Sequence, residues 1–273
     1  MLRNGIFTTL TWAYLEKAHD QNVIHAEIFF DPQNHTARGI AFDRVVSGIG
    51  RALDKAEAQW GLTSELIFCI LRHVDVKSGL ETVERAKDHK GRLIGISLDS
   101  SELGFPPAMF RKIFDKARRE GFLAVAHAGE EGPPEYVTEA LNILQIDRLD
   151  HGNRALEDDA LVEHLVAEQI ALTIYPLSNL KLKGVDRMEH HPLKTMLEIG
   201  LKATANSDDP AYFGGYMNEN LLAVTAALDL TEDQLGMLSR HVFQAAFVDD
   251  DAKQVLLDKL DRFADSTSNT KDR

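Results

Sequence analysis

The 273 residues carry 30 Lys and Arg against 43 Asp and Glu, a formal net charge of -13, with 44% hydrophobic and 27% charged residues. That balance suits a folded domain with a sizeable core and repels polyanions, so nucleic acid and anionic membranes are excluded as partners while a small neutral ligand is not. No run approaches the ~18 continuous apolar residues of a membrane span, and the N-terminus lacks a basic-then-apolar leader pattern.

In chain order, a helix pattern over Leu10–His19 leads into a first strand, Ile24–Phe30. Helix 42–59 then precedes strand Leu66–Arg72, helix 79–89 precedes strand 93–98, and helix 109–120 precedes strand 123–126. Helix 135–144 leads to strand 148–150, helix 156–168 to strand 171–175, and helix 192–198 to strand 202–206. Two further helices, near 218–228 and 231–247, follow the last strand, and Gly61, Gly121 and Gly200 sit where helices should stop. Cys69, the one cysteine, falls inside an apolar strand and reads as an inert core thiol of a reducing, cytoplasmic environment. The polar stretch Ser266–Thr270 reads as a frayed end, so 266–273 are expected to form a flexible tail on a single domain spanning 1–273.

Strict alternation of strand and helix requires a parallel sheet with crossover helices, either an open doubly wound sheet or a (β/α)8 TIM barrel. Polar residues decide between them. They close nearly every strand: Asp31, Asp99-Ser100, His127, Asp150-His151, Ser178-Asn179 and Asn206-Ser207-Asp208-Asp209. A barrel collects its active site from many strand ends, whereas an open sheet concentrates it at one crevice, usually beside a glycine-rich phosphate loop that this chain lacks. The expectation is therefore an α/β barrel of the (β/α)8 type. Seven strands are countable and eight are needed, so the expected gap lies before the first helix, ahead of Met1.

Three strand ends carry chemistry. In His127-Ala128-Gly129-Glu130 a histidine closes a strand, and two small residues let the chain turn a carboxylate back towards the same cavity. A metal-binding histidine with such a carboxylate suits hydrolysis by an activated water. Asp150-His151-Gly152 closes the next strand, where a histidine off the metal can orient a hydroxide. Asn206-Ser207-Asp208-Asp209-Pro210 sets two carboxylates side by side, which invites a cation or hydrogen-bond donors. An ordinary turn before an N-capped helix fits that last segment equally well.

Taken together, His127-Ala128-Gly129-Glu130, Asp150-His151-Gly152 and Ser207-Asp208-Asp209-Pro210 resemble, in order and spacing, the motifs of the adenosine/adenine deaminase family of the amidohydrolase superfamily. The likeness extends to Glu27–Gln33, Leu98–Glu102 and Pro176–Asn179, and so across almost the whole chain. It implies a (β/α)8 barrel with one Zn2+ ion at its mouth, held in part by His127 and Asp208. It further implies Glu130 as proton donor to a purine ring, His151 as the group positioning the attacking hydroxide, and Asp209 as the residue bonding purine N7. The implied reaction adds water at C6 of adenine and releases hypoxanthine and ammonia, a step of purine salvage. A proton donor needs a carboxyl raised by an apolar cavity, so a pH-rate profile sensitive to Glu130→Gln is expected.

The segments Leu98–Glu102, Pro176–Leu182 and Asn206–Tyr216 resemble the adenine branch more than the adenosine branch, with Phe213 expected to close over a bare base. Adenosine deamination is the alternative, as is a purine-binding remnant without catalysis. The family's other two zinc ligands form a His-x-His on its first strand, and no His-x-His occurs in these residues. The paired His190-His191 reads as a solvated or capping pair, and His25, His35 and His73 lack the required partner. Two zinc ligands fall short of the three or more of a catalytic site, so weak zinc binding and little deaminase activity are expected of these residues alone. Two open strand edges are expected as well, near Ile24 and Lys202. Nothing in the sequence sets an oligomeric state.

Overall fold

The structure is a computed structural model that describes residues 5–271, and the chain divides into two units, 1–158 and 159–273. In the first unit the order is α1 (Ile6–Asp20), β1 (His25–Phe30), α2 (Pro32–Thr36), α3 (Phe42–Trp60), β2 (Thr63–Leu71), α4 (Val76–Ala86), β3 (Leu93–Asp99), α5 (Arg111–Arg119), β4 (Leu123–Ala128), α6 (Pro134–Glu139) and β5 (Arg148–His151). The second holds α7 (Asp159–Ala167), β6 (Ala171–Ile174), α8 (Pro176–Lys181), α9 (Leu193–Glu198), β7 (Lys202–Ala205), α10 (Pro210–Phe213), α11 (Met217–Leu228), α12 (Glu232–Ala245) and α13 (Asp250–Lys271).

In the first unit β1 to β5 pair in parallel, each with the next. In the second, β6 pairs in parallel with β7, Ala171 opposite Lys202. This is the α/β class read from the sequence, an incomplete (β/α)8 type with seven strands and none ahead of α1 among the described residues.

Side chains on non-neighbouring strands of the first unit meet, which a flat sheet would prevent. Arg148 of β5 is ion-paired with Glu27 of β1, and the rings of Phe29 on β1 and His127 on β4 lie 6.0 Å apart. The five strands therefore curl towards one another.

The core follows from the periodicities. Leu66 to Leu71 are all buried, the continuous apolar run of a parallel strand covered on both faces. Val45, Val46, Ile49, Ala52, Leu53 and Ala56 form one buried stripe of α3, where each large aliphatic contributes about 1.5–3 kcal/mol. That helix ends at Gly61 with φ +69°, and Gly121 and Gly200 take left-handed φ in the same role. On its other side α3 meets α1, where Trp12 stacks on Trp60 at 4.5 Å.

Periodicity overlooked four helices. Three of them (α2, α8 and α10) are six residues or fewer, too short to show a 3.6-residue period, and each begins with Pro at its first turn. The fourth, α13, runs through Lys271 and so takes in most of the stretch read as a tail. Residues 272 and 273 lie outside the described residues.

Candidate metal and catalytic site

Strand register assembles the site in the first unit. Along a strand, successive side chains alternate between faces. Because β4 and β5 pair with His127 opposite Asp150, these two share a face, and His127 Nε2 lies 3.5 Å from Asp150 Oδ2. Regular alternation would then turn His151 away. Instead His151 takes φ +62° and Gly152 φ +73°, which breaks the alternation and brings the His151 ring 4.9 Å from the His127 ring. A left-handed φ at a non-glycine residue is uncommon, and its location here is a pointer to function.

Glu130 completes the group. Gly129 has φ +70°, and a Cβ added there would sit 2.8 Å from Val137 Cγ2, so only glycine makes this turn without strain. The turn brings Glu130 Oε2 to 3.4 Å from His151 Nε2. One donor atom from each of His127, Glu130 and His151 then lies within 4.8 Å of the others. The three residues singled out in the sequence on β4, β5 and the turn between them are thus brought together.

The electrostatics suit both a metal and proton transfer. Burial pushes the His151 imidazole well below its ordinary value, helped by the neighbouring His127 and Arg72, so it is neutral at physiological pH. His127 Nε2 is buried and makes no hydrogen bond. A buried nitrogen without a donor or acceptor is costly unless something else engages it, and neutral imidazole is a good zinc donor. On donor chemistry the residues present fit Zn2+, although with the incomplete ligand set read from the sequence.

Asp31, Cys69 and Asp99, from the ends or interior of β1, β2 and β3, form a second cluster with donor atoms within 4.8 Å. Burial and then the charge and hydrogen bond of Asp31 push the Asp99 carboxyl well up. The Cys69 thiol, buried and facing Asp99, is likewise pushed well up, which makes it the inert thiol expected.

Several residues that hold this site carried no assigned role in the sequence. Asp150 is fully buried beside His127. Its signal was register, which a single sequence does not reveal. Arg72, also fully buried, donates to the carbonyls of His127 and Phe105. Burial draws its guanidinium below the usual value, while Glu102 and Asp99 oppose that shift. Glu102 belonged to a segment quoted only for its likeness; it accepts hydrogen bonds from four successive backbone N–H groups, 129 to 132.

The second unit carries Asp208 and Asp209. Asp208 has φ +55°, which aspartate tolerates better than most residues, and its Oδ1 accepts from Asp209 N–H at 2.8 Å. Asp209 occupies the N-cap position of α10, followed by Pro210 at its first turn, without a side-chain capping bond. Phe213 is buried beside the exposed Tyr212. His190 and His191, read as a solvated or capping pair, separate: His190 is exposed and lies 2.7 Å from Asp186, whereas His191 is 3% exposed. His191 Nδ1 accepts from Leu193 N–H, so its Nε2–H faces Asn179 Oδ1 at 3.3 Å. Adjacent residues entering a helix point to different sides, and a dipeptide gives no sign of which is inward.

A model of the adenosine deaminase family matches residues 3–263. The chain belongs to that family. Among relatives in the adenosine deaminase family, an adenine deaminase of Rhodospirillum rubrum is 58% identical over 241 residues, 88% of this chain and 72% of that protein. The crystal structure of an adenine deaminase from Arthrobacter aurescens superposes with a TM-score of 0.94 at 42% identity, covering 97% of this chain and 81% of that one. An amidohydrolase from Burkholderia ambifaria, solved with bound zinc, gives a TM-score of 0.91 at 28% identity over 98% of this chain and 77% of that one. The alternating strands of this family member thus have the fold that the sequence resemblance implied.

Proposed function

We propose that the protein is a zinc-dependent deaminase that converts adenine and water to hypoxanthine and ammonia. The observation that carries this reading is the convergence of His127, Glu130 and His151 within 4.8 Å at the ends of two adjacent strands. Zinc, when bound, supplies the Lewis acidity that makes water a nucleophile near neutral pH. His127 would hold it, with Asp208 as the second ligand that the motif implies.

The chain's own residues do the rest. Neutral His151 accepts a hydrogen bond or proton from the attacking water. Glu130 delivers a proton to a ring nitrogen, so that the ring accepts the electron pair as the C6–O bond forms. The C6–N bond then breaks as the amino group takes the water proton held at His151, the hydroxyl proton passes back to Glu130, and ammonia leaves. Asp209 would hydrogen-bond the purine at ring nitrogen N7, which orients C6 for attack.

A free base is favoured over its riboside by the likeness of 98–102, 176–182 and 206–216 to the adenine branch, and by relatives named adenine deaminases. One match running from residue 3 to 263 supports a single catalytic domain. A cytoplasmic location is supported by one buried, protonated thiol and no further cysteine; no helix among the described residues is long and apolar enough to cross a membrane.

The test is hypoxanthine formation from adenine with zinc in excess. Glu130→Gln should lower kcat about 10²–10⁴-fold, the usual worth of a positioned acid. Chelation should abolish turnover and added zinc restore it, because a two-ligand motif set holds the ion weakly. Full activity in Glu130→Gln, or turnover that survives chelation, contradicts the reading.

A further inference from the structure

Glu102 lies in the loop after β3 and is 1% exposed. Its Oε1 accepts from Gly129 N–H at 2.7 Å; its Oε2 accepts from Glu130, Glu131 and Gly132 N–H at 3.1, 2.7 and 2.8 Å. A carboxylate offers about four acceptor positions, two on each oxygen, and here four main-chain donors of a single turn converge on it, three of them on Oε2. The N–H of Glu130 itself is among them. Such charge-assisted bonds are about twice as strong as neutral ones.

The arrangement is tight. A Cβ on Gly132 would lie 2.6 Å from Glu102 Oε1 and 2.5 Å from the Tyr136 ring, so this glycine is what lets the turn approach the carboxylate. The carbonyls of the same stretch are held from other directions. Arg72 donates to His127 O and Phe105 O, Arg154 Nη1 donates to Glu131 O at 2.8 Å, and Arg154 N–H donates to Gly129 O at 2.9 Å.

We propose that Glu102 is the positioning residue of Glu130: its carboxylate fixes the 129–132 turn and so aims the Glu130 side chain at the reacting ring. This rests on the acid role of Glu130 given above. A buried carboxylate facing four donors is a poor substrate contact, because it is closed off from solvent and most of its acceptor positions are taken by the turn. It therefore acts through geometry, where a misplacement of about 1 Å costs about 10²-fold in rate.

Glu102→Gln keeps the shape and one acceptor oxygen. That oxygen satisfies the three-donor side, and the amide nitrogen then faces Gly129 N–H, donor against donor. The expected result on the zinc-loaded protein is a kcat lowered about 10–100-fold with KM within about twofold. In a Glu130→Gln background the same change should add less than about a further twofold, because a residue acting through Glu130 has nothing left to aim. Amide exchange at 129–132 should quicken about tenfold or more while other β4 amides keep their rates. Gly132→Ala, which displaces the carboxylate without removing it, should give the same kcat signature and serves if Glu102→Gln does not fold.

An unchanged kcat, a loss carried by KM, losses that multiply with Glu130→Gln, or unaltered exchange at 129–132 would each overturn the proposal. Full activity in Glu130→Gln would instead sink the acid role, and the exchange rates would still report on the clamp by themselves.

Discussion

The turn at 127–132 and the turn at 206–210 both carry residues that the sequence marked for the site, yet they are built in opposite ways. The first is held by partners far off in the chain. Glu102 gathers its N–H groups, Arg72 takes the carbonyl of His127 from 55 residues away, and Asp150 stands beside the imidazole. The second has more local bonds: Asn206 Nδ2 donates to Thr204 Oγ1, Asp209 N–H to Asp208 Oδ1, and Phe213 N–H to Asp209 O, beside the distant anchor of Asn206 N–H on Ile174 O. A proton donor must be aimed, and long-range bonds from a buried framework aim it.

The largest effect that separates the two turns should be in stability. Arg72→Met removes a buried guanidinium and leaves two main-chain carbonyls and Glu102 without its charge, so a loss of about 3–5 kcal/mol is expected in denaturant unfolding. Asp209→Asn alters an exposed residue and should change stability by less than about 0.5 kcal/mol. Similar losses in the two variants would erase the distinction drawn here.

This difference also explains what could be read in advance. The strands, the barrel class, and the identities His127, Glu130 and His151 were legible because hydrophobic runs end in polar residues at regular intervals. Asp-Asp-Pro was legible as a helix start because capping is local, and α10 does begin there. Glu102, Arg72 and Asp150 were not, since their roles depend on strand register and on loops meeting across the first unit. Short α2 and α8 lacked the length to show a period, and polar composition concealed the helix that runs to Lys271.

A smaller effect sharpens the account of the second unit through His191, whose imidazole is also bonded close by in the chain. Burial lowers it to about 4. An unfolded histidine titrates near 6.5, so between these values the unfolded chain binds the extra proton and the folded chain does not. Stability present above pH 6.5 therefore falls as pH drops towards 4, by up to about 3 kcal/mol from this group. His191→Gln should flatten that part of the stability curve, whereas His190→Gln, at the exposed neighbour, should leave it intact. A curve unchanged by His191→Gln would mean that the imidazole is not held neutral inside.

The central claim is the reaction and its substrate. Ammonia release measured side by side from adenine and from adenosine, with zinc in excess, tests it most directly. The account predicts one ammonia and one hypoxanthine per adenine consumed, with adenosine turned over far more slowly. Equal or faster release from adenosine, or purine binding without ammonia from either, would contradict it.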